Sequence, residues 1–160
     1  AETQARIFAI ASVHKRLYTS GSVGIVELDG YLGGLLENLG GSMRGQGHGA
    51  NLISDLAPLT LGIDATINLG VIVTELVTNA FKYAYPDKSG DVRVLLREDG
   101  PGRALLTVED DGVGNAGNVI KGTGLGTRII KAMARSIDAD VAYQARDPGT
   151  AVALSFALPQ

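Results

Sequence analysis

The apolar positions of this chain switch between two periods, and the switches mark its elements. Ile7, Ile10, Ala11 and Leu17 share one helical face of the segment 1–18, which opens with neither a cap nor a turn. Thr19–Ser22 breaks that helix. Leu28, Leu32, Leu35, Leu36 and Leu39 predict a second amphipathic helix with Asp29 as its N-cap. Gly33 and Gly34 inside it cost roughly 1 kcal/mol each against alanine, so the helix is either weak or closely packed. Residues 40–49 read as a loop and 51–56 as a short strand. Residues 63–85 form a long helix, apolar almost all round, that ends in the turn YPDKSG. The period then drops to two in DVRVLLRE (91–98) and RALLTVED (103–110), joined by Asp99–Gly102 as a hairpin. A glycine-rich stretch, 110–126, leads into a helix that runs to about Ile137. ADVAYQA (139–145) and TAVALSFAL (150–158) make a last hairpin around RDPG. Strands that are mostly antiparallel, with helices on one face, predict an α/β two-layer sandwich built on a mixed sheet.

Composition narrows the function classes. The 160 residues suffice for one domain, or one domain with an appendage, and at 45% hydrophobic and 19% charged the chain is globular. A net charge of −3 without a basic run argues against a nucleic-acid partner. No apolar run approaches the ~18 residues of a membrane span and no signal peptide opens the chain, so no membrane contact is expected. The absence of cysteine excludes disulfides and thiolate metal sites. His14 and His48 lie far apart, which argues against a transition-metal centre; the first reads as a packed helix residue, the second as a surface loop residue. The unusual count is glycine, 22 residues without a period, so their clusters matter.

Three clusters of residue types carry chemistry. Asn68, Glu75, Asn79 and Lys82 share one face of the long helix. Oxygen ligands beside an ammonium suit a hydrated Mg²⁺ bound to phosphates; a solvated face bearing ordinary charges accounts for the same residues. Asp110, at the end of a strand and followed by Gly112 and Gly114, places a carboxylate where a ligand can approach the main chain and donate from an exocyclic amine. A plain turn is the simpler alternative, and an EF-hand lacks its ligand pattern here. Gly122, Thr123, Gly124, Leu125, Gly126 and Thr127 open a helix, and N–H groups there make a phosphate cradle. They match neither the Walker nor the Rossmann pattern, and a flexible loop is the alternative.

The order of these clusters, with Gly149-Thr150 at the last hairpin, resembles the N, G1 and G2 boxes of the Bergerat ATP-binding fold of gyrase-type ATPases, Hsp90, MutL and histidine kinases. The resemblance covers Val23 to the C-terminus. It implies ATP and Mg²⁺ as cofactors, Asn79 and Glu75 as metal ligands, and Asp110 as the adenine carboxylate. Gly112 and Gly114 would let the base approach, the segment Gly122–Gly126 would hold the phosphates, Lys82 would contact phosphate, and Thr150 would support the adenine through water. Glu75 and Lys82 take the catalytic roles, Glu75 by ordering a water or assisting a base. Asn115–Lys121 would be a short lid.

Within that superfamily, RIFAIASVHKRLY (6–18) followed by VELDGYLGGLL is similar to the HisKA_2 class of sensor histidine kinases. Lys15 stands where that class usually has an acid, and Tyr83 where it often has histidine. Residues 1–20 are then the C-terminal part of the second dimerisation helix and 21–160 the catalytic ATP-binding domain. The phosphoacceptor histidine lies on a dimerisation helix absent from this chain. The resemblance implies transfer of the ATP γ-phosphoryl to that histidine and a response regulator as partner of the full protein. It also implies a cytoplasmic setting and a monomeric fragment that does not autophosphorylate alone. An anti-sigma-factor serine kinase, or a scaffold domain that has lost ATP, are the competing readings. The 6–18 helix speaks against the first and the intact boxes against the second.

Overall fold

The computed structural model describes residues 24–45, 47, 51–85, 90–113, 125–146 and 148–159, excluding the side chains of 125–127. In chain order the elements are β1 (Ile25–Glu27), α1 (Leu28–Gly45), β2 (Asn51–Leu56), β3 (Thr60–Gly62), α2 (Ile63–Asn79), a π-helical turn (Ala80–Ala84), β4 (Asp91–Glu98), β5 (Arg103–Asp110), α3 (Leu125–Ser136), β6 (Asp140–Ala145) and β7 (Thr150–Ala157). The main sheet has five strands in the order β2-β4-β5-β7-β6, with β2–β4 parallel and the other pairs antiparallel. The mixed, mostly antiparallel sheet expected from the pattern is therefore present. The helices cover one of its faces.

Period-two patterning decides which face. Val92, Val94 and Leu96 of β4 are buried, as are Ala104, Leu106, Val108 and Asp110 of β5. Register aligns them into rows across the sheet: Val94–Val108–Val152, then Leu96–Leu106–Leu154. Onto these rows pack Leu32, Leu35 and Leu39 of α1, Leu69, Ile72 and Val73 of α2, and Ile130 of α3. Each fully buried leucine contributes roughly 2 kcal/mol of transfer free energy. The row at the strand ends reads Val92–Asp110–Thr150, so the alternation that fills the core also delivers one carboxylate to its rim.

Two departures from the sequence reading have physical causes. The expected loop 40–49 is helix as far as Gly45, because Leu39, Gly40 and Met43 continue the buried stripe of α1. Gly40 lies against β2, where an added Cβ would stand 3.8 Å from the Leu52 side chain. Of the glycines there, Gly40 is the one packed against a neighbouring strand. The second departure is the two-stranded sheet of β1 and β3, whose three-residue strands are too short to show a period. Asp29 sits in the first turn of α1, one residue inside the helix start.

α2 is buried on nearly all sides, and its threonines are accommodated by back-bonding within the helix. Thr66 Oγ1 donates to Gly62 O at 2.7 Å and Thr74 Oγ1 to Gly70 O at 2.8 Å. Gly70 admits the Tyr31 phenol of α1, which an added Cβ would meet at 2.5 Å.

Candidate functional site

The polar stripe divides along α2. Asn68 Nδ2 donates to Ser136 Oγ at 2.8 Å, so the first member of the stripe latches α2 to the end of α3. Eleven residues on, at roughly 1.5 Å per residue, Asn79 stands about 16 Å further along the helix. Asn68 is thus a packing residue, separate from the other three. Glu75 is enclosed at 1% exposure, Asn79 is half-buried and Lys82 is exposed. Lys82 lies in the π-helical turn, its ammonium 5.3 Å from the centre of the Tyr83 ring.

Asp110 closes the central strand of the sheet at 6% exposure. Its Oδ1 accepts the Gly112 N–H at 3.0 Å, and its carboxylate also accepts the Thr150 N–H. Burial pushes its pKa above the ordinary carboxylate value; the two N–H donors and Arg146 pull against that shift, while neighbouring Asp111 adds to it. The carboxylate is thus held in place by main-chain donors yet poorly solvated, which suits an acceptor for a neutral N–H donor.

Two glycines fix the chain around it. Gly149 has φ +108°, and a Cβ there would fall 1.9 Å from Asp110 O. A Cβ on Gly112 would meet Ala84 O at 2.2 Å. What Gly112 permits is the passage of the strand end against the π-helical turn that follows α2. There Val113 N–H donates to Ala84 O at 2.9 Å, and Asp111 N–H donates to Tyr85 Oη at 2.9 Å. Lys82 and Asp110 are therefore carried by two segments welded together at Ala84 and Tyr85.

On the opposite face of the sheet, Asp111 and Glu109 point outward and are charge-compensated. Arg93 gives a bidentate pair to Asp111, 2.8 Å to each oxygen, and its Nε donates to Glu109 Oε1 at 2.8 Å. Arg146 Nη1 lies 3.3 Å from Asp111 Oδ1 and 3.8 Å from Glu109 Oε2. The hydrogen bonds from Arg93 hold the Asp111 carboxyl below the usual range, and Arg146 adds to the effect. Asp110 and Asp111, adjacent in sequence, are shifted in opposite directions because alternation sends one into the core and the other out to two arginines.

Thr150 is half-buried and its demonstrated contact with Asp110 is through the main chain. Gly114, Gly122, Thr123 and Gly124 lie outside the described residues, as do His14, His48 and the segment 115–121. Leu125 and Gly126 form the first residues of α3. Sequence reasoning missed Tyr85, Arg93 and Arg146. Arg93 had a signal: the hairpin at Asp99–Gly102 sets it opposite Glu109. A groove of about 450 Å³ between α3 and β6, lined by Ile130, Arg135 and Tyr143 among others, contains none of the candidate residues.

A buried carboxylate thus ends the central strand and is joined to the helix end that carries Asn79 and Lys82, on a two-layer sandwich. A family model described as histidine kinase-, DNA gyrase B-, and HSP90-like ATPase matches residues 64–160, more than half the chain, and the chain belongs to that family. A second model, described as histidine kinase (HisKA_2), matches residues 1–43. Blue-light-activated histidine kinase 2 of Erythrobacter litoralis is 28% identical over 146 residues; that alignment covers 85% of this chain and 40% of the relative, so the chain spans two fifths of the relative's length. Among solved structures, the histidine kinase domain of an Erythrobacter litoralis blue-light activated histidine kinase superposes with a TM-score of 0.86 at 23% identity, covering 99% of this chain and 75% of that one. The mycobacterial sensor histidine kinase MprB gives 0.67 at 22%, covering 85% of this chain and 98% of that one. At these identities the superpositions establish the shared fold, the α/β sandwich of the ATPase domains. No helix among the described residues is long and apolar enough to cross a membrane.

Proposed function

We propose that this chain is the ATP-binding catalytic region of a two-component sensor histidine kinase. The observation that carries the reading is the buried Asp110 carboxylate, fixed by two main-chain N–H donors at the rim of the sheet and joined through Ala84 to the helix that bears Asn79 and Lys82. The match of residues 1–43 to the HisKA_2 model supports a histidine acceptor and weighs against the anti-sigma serine kinase.

In this reading Asp110 accepts a hydrogen bond from the exocyclic amine of adenine. The Lys82 ammonium, exposed at the helix end, takes phosphate charge. The residues fit Mg²⁺: the half-buried Asn79 offers one oxygen ligand beside incoming phosphates, which matches an ion that keeps most of its water. When bound, Mg²⁺ neutralises charge on the β- and γ-phosphates. Asn79 is assigned as its ligand, and Glu75, enclosed one turn behind, as a second oxygen or as the group that orders water. Residues 122–126 supply the phosphate cradle and Thr150 supports the base.

The reaction is in-line: a ring nitrogen of the acceptor histidine attacks the γ-phosphorus, the P–O bond to the β-phosphate breaks, and ADP leaves with that oxygen. The acceptor is carried by a dimerisation helix, residues 1–20 belong to the dimerisation region, and a response regulator receives the phosphoryl group from it. The setting is cytoplasmic and bacterial.

Calorimetry with a non-hydrolysable ATP analogue tests the site. Binding is expected in the micromolar range for the unmodified chain, with loss of magnesium dependence in Asn79→Ala. An unmodified chain that fails to bind the analogue overturns the reading.

A further inference from the structure

Antiparallel strands alternate hydrogen-bonded and non-bonded residue pairs, so bonded pairs recur at every second residue. In the β4–β5 hairpin the phase is set at the turn, where Asp99 N–H donates to Arg103 O at 2.9 Å. Counting back through the register, Arg97–Leu105, Leu95–Thr107 and Arg93–Glu109 are the following bonded pairs. Asp91–Asp111 is next, and there Asp111 N–H should donate to Asp91 O. A side chain occupies that rung instead. Tyr85 Oη accepts the Asp111 N–H at 2.9 Å and donates to Asp91 O at 2.5 Å.

The phenol is held where it is. Tyr85 is 8% exposed. Its ring lies against Gly90, where any Cβ would fall 2.0 Å from it, at φ +148°. Burial raises its pKa, which keeps the hydroxyl protonated and able to donate. Inserting one oxygen atom into a rung spreads the two strands at the residue after Asp110. The chain leaving β5 is thereby turned away from β4 and passes under the Ala84 carbonyl through Gly112.

We infer that Tyr85 is a positioning residue for the base end of the nucleotide site: its phenol holds the β4–β5 ladder open by one rung, and this aims the Asp110 carboxylate at the exocyclic amine of adenine. The inference rests on the ATP reading given above and adds to it the determinant of base selectivity. Without the hydroxyl, Asp111 N–H and Asp91 O pair directly, the ladder zips one residue further, and the turn from Asp110 to Gly112 shifts toward β4.

The test is Tyr85→Phe, which keeps the ring against Gly90 and removes both hydrogen bonds. Binding of ADP and of inosine diphosphate, which lacks the amine, is measured by calorimetry on the unmodified chain and the variant, with thermal melts to show both are folded. The unmodified chain is expected to prefer ADP. In the variant ADP should bind roughly tenfold more weakly while inosine diphosphate changes less than twofold, collapsing the preference. Equal weakening of both ligands would make Tyr85 a merely structural residue and overturn the inference, as would an unchanged ADP preference. In both of those cases the ATP reading stands. An unmodified chain that binds neither nucleotide removes the ATP reading, and the inference with it.

Discussion

At Asp99 the β4–β5 ladder closes on itself: a direct main-chain bond to Arg103, two glycines at φ +80° and +73°, and open space around both. At Asp111 the same ladder is held apart by a phenol, crowded by Gly149 and Ala84, and clamped by Arg93 and Arg146. The first end is made by five consecutive residues. The second is assembled from β4, β5, the end of α2 and the last hairpin. A strand terminus built only to turn the chain uses local chemistry, whereas one that holds a desolvated carboxylate needs support from several elements.

Substitutions at matched positions sharpen that contrast. Gly149→Ala should destabilise by about 3 kcal/mol, since it combines an unfavourable φ with a collision against backbone, whereas Gly100→Ala should cost about 1 kcal/mol for φ alone. Urea unfolding of the two variants measures both, and equal costs would erase the distinction. Asp110→Asn should weaken ADP binding about a hundredfold, or roughly 2.7 kcal/mol, while Asp99→Asn leaves it unchanged. Calorimetry reads the pair.

The arginines differ less. Arg93 and its partners are 20–45% exposed, so Arg93→Ala should cost about 1 kcal/mol after allowance for solvent screening. Arg97 and Asp55 are 50% and 66% exposed, and Arg97→Ala should fall within about 0.5 kcal/mol. Equal costs in urea would mean that the network at the site adds nothing beyond a surface pair.

The smallest effect is on pH dependence, and its sign follows from the two aspartates. Asp110 has a raised pKa in the folded chain, so between the ordinary value of 3.8 and that higher value the folded state holds more protons and stability falls as pH rises. ADP affinity should move the other way, strengthening as the carboxylate ionises. Asp111 is depressed, so its contribution is present above the ordinary value and lost as pH falls through its own. Carboxyl NMR titration should place Asp110 above Asp111; the reverse order would show that burial does not dominate at Asp110.

How much of this was legible depended on range in sequence. The hairpins, α2 and the position of Asp110 follow from period and turn residues, and the structure has them where the pattern put them. Asn68 was placed with the site because helical phase alone cannot say how far along the axis a site extends; its bond to Ser136 shows that it belongs to the other end. The last helical turns of α1 were hidden by Gly40, Gly41 and Gly45, whose low propensity is overridden by the burial of Leu39, Gly40 and Met43. Tyr85 was invisible for a different reason. Nothing in the run KYAYP marks which tyrosine will face a strand end, since that is decided by the path of a chain more than twenty residues later.

The small sheet of β1 and β3 has a mechanical meaning. β1 is the first strand among the described residues, it pairs with the strand that runs directly into α2, and Gly24 O accepts the N–H of Ile63 at 3.3 Å. Among the described residues, a tensile load applied at Gly24 therefore acts first on that bond and on the Ile25–Gly62 pair. The tension is delivered at the first residue of α2, and the same helix carries Asn79 as its last.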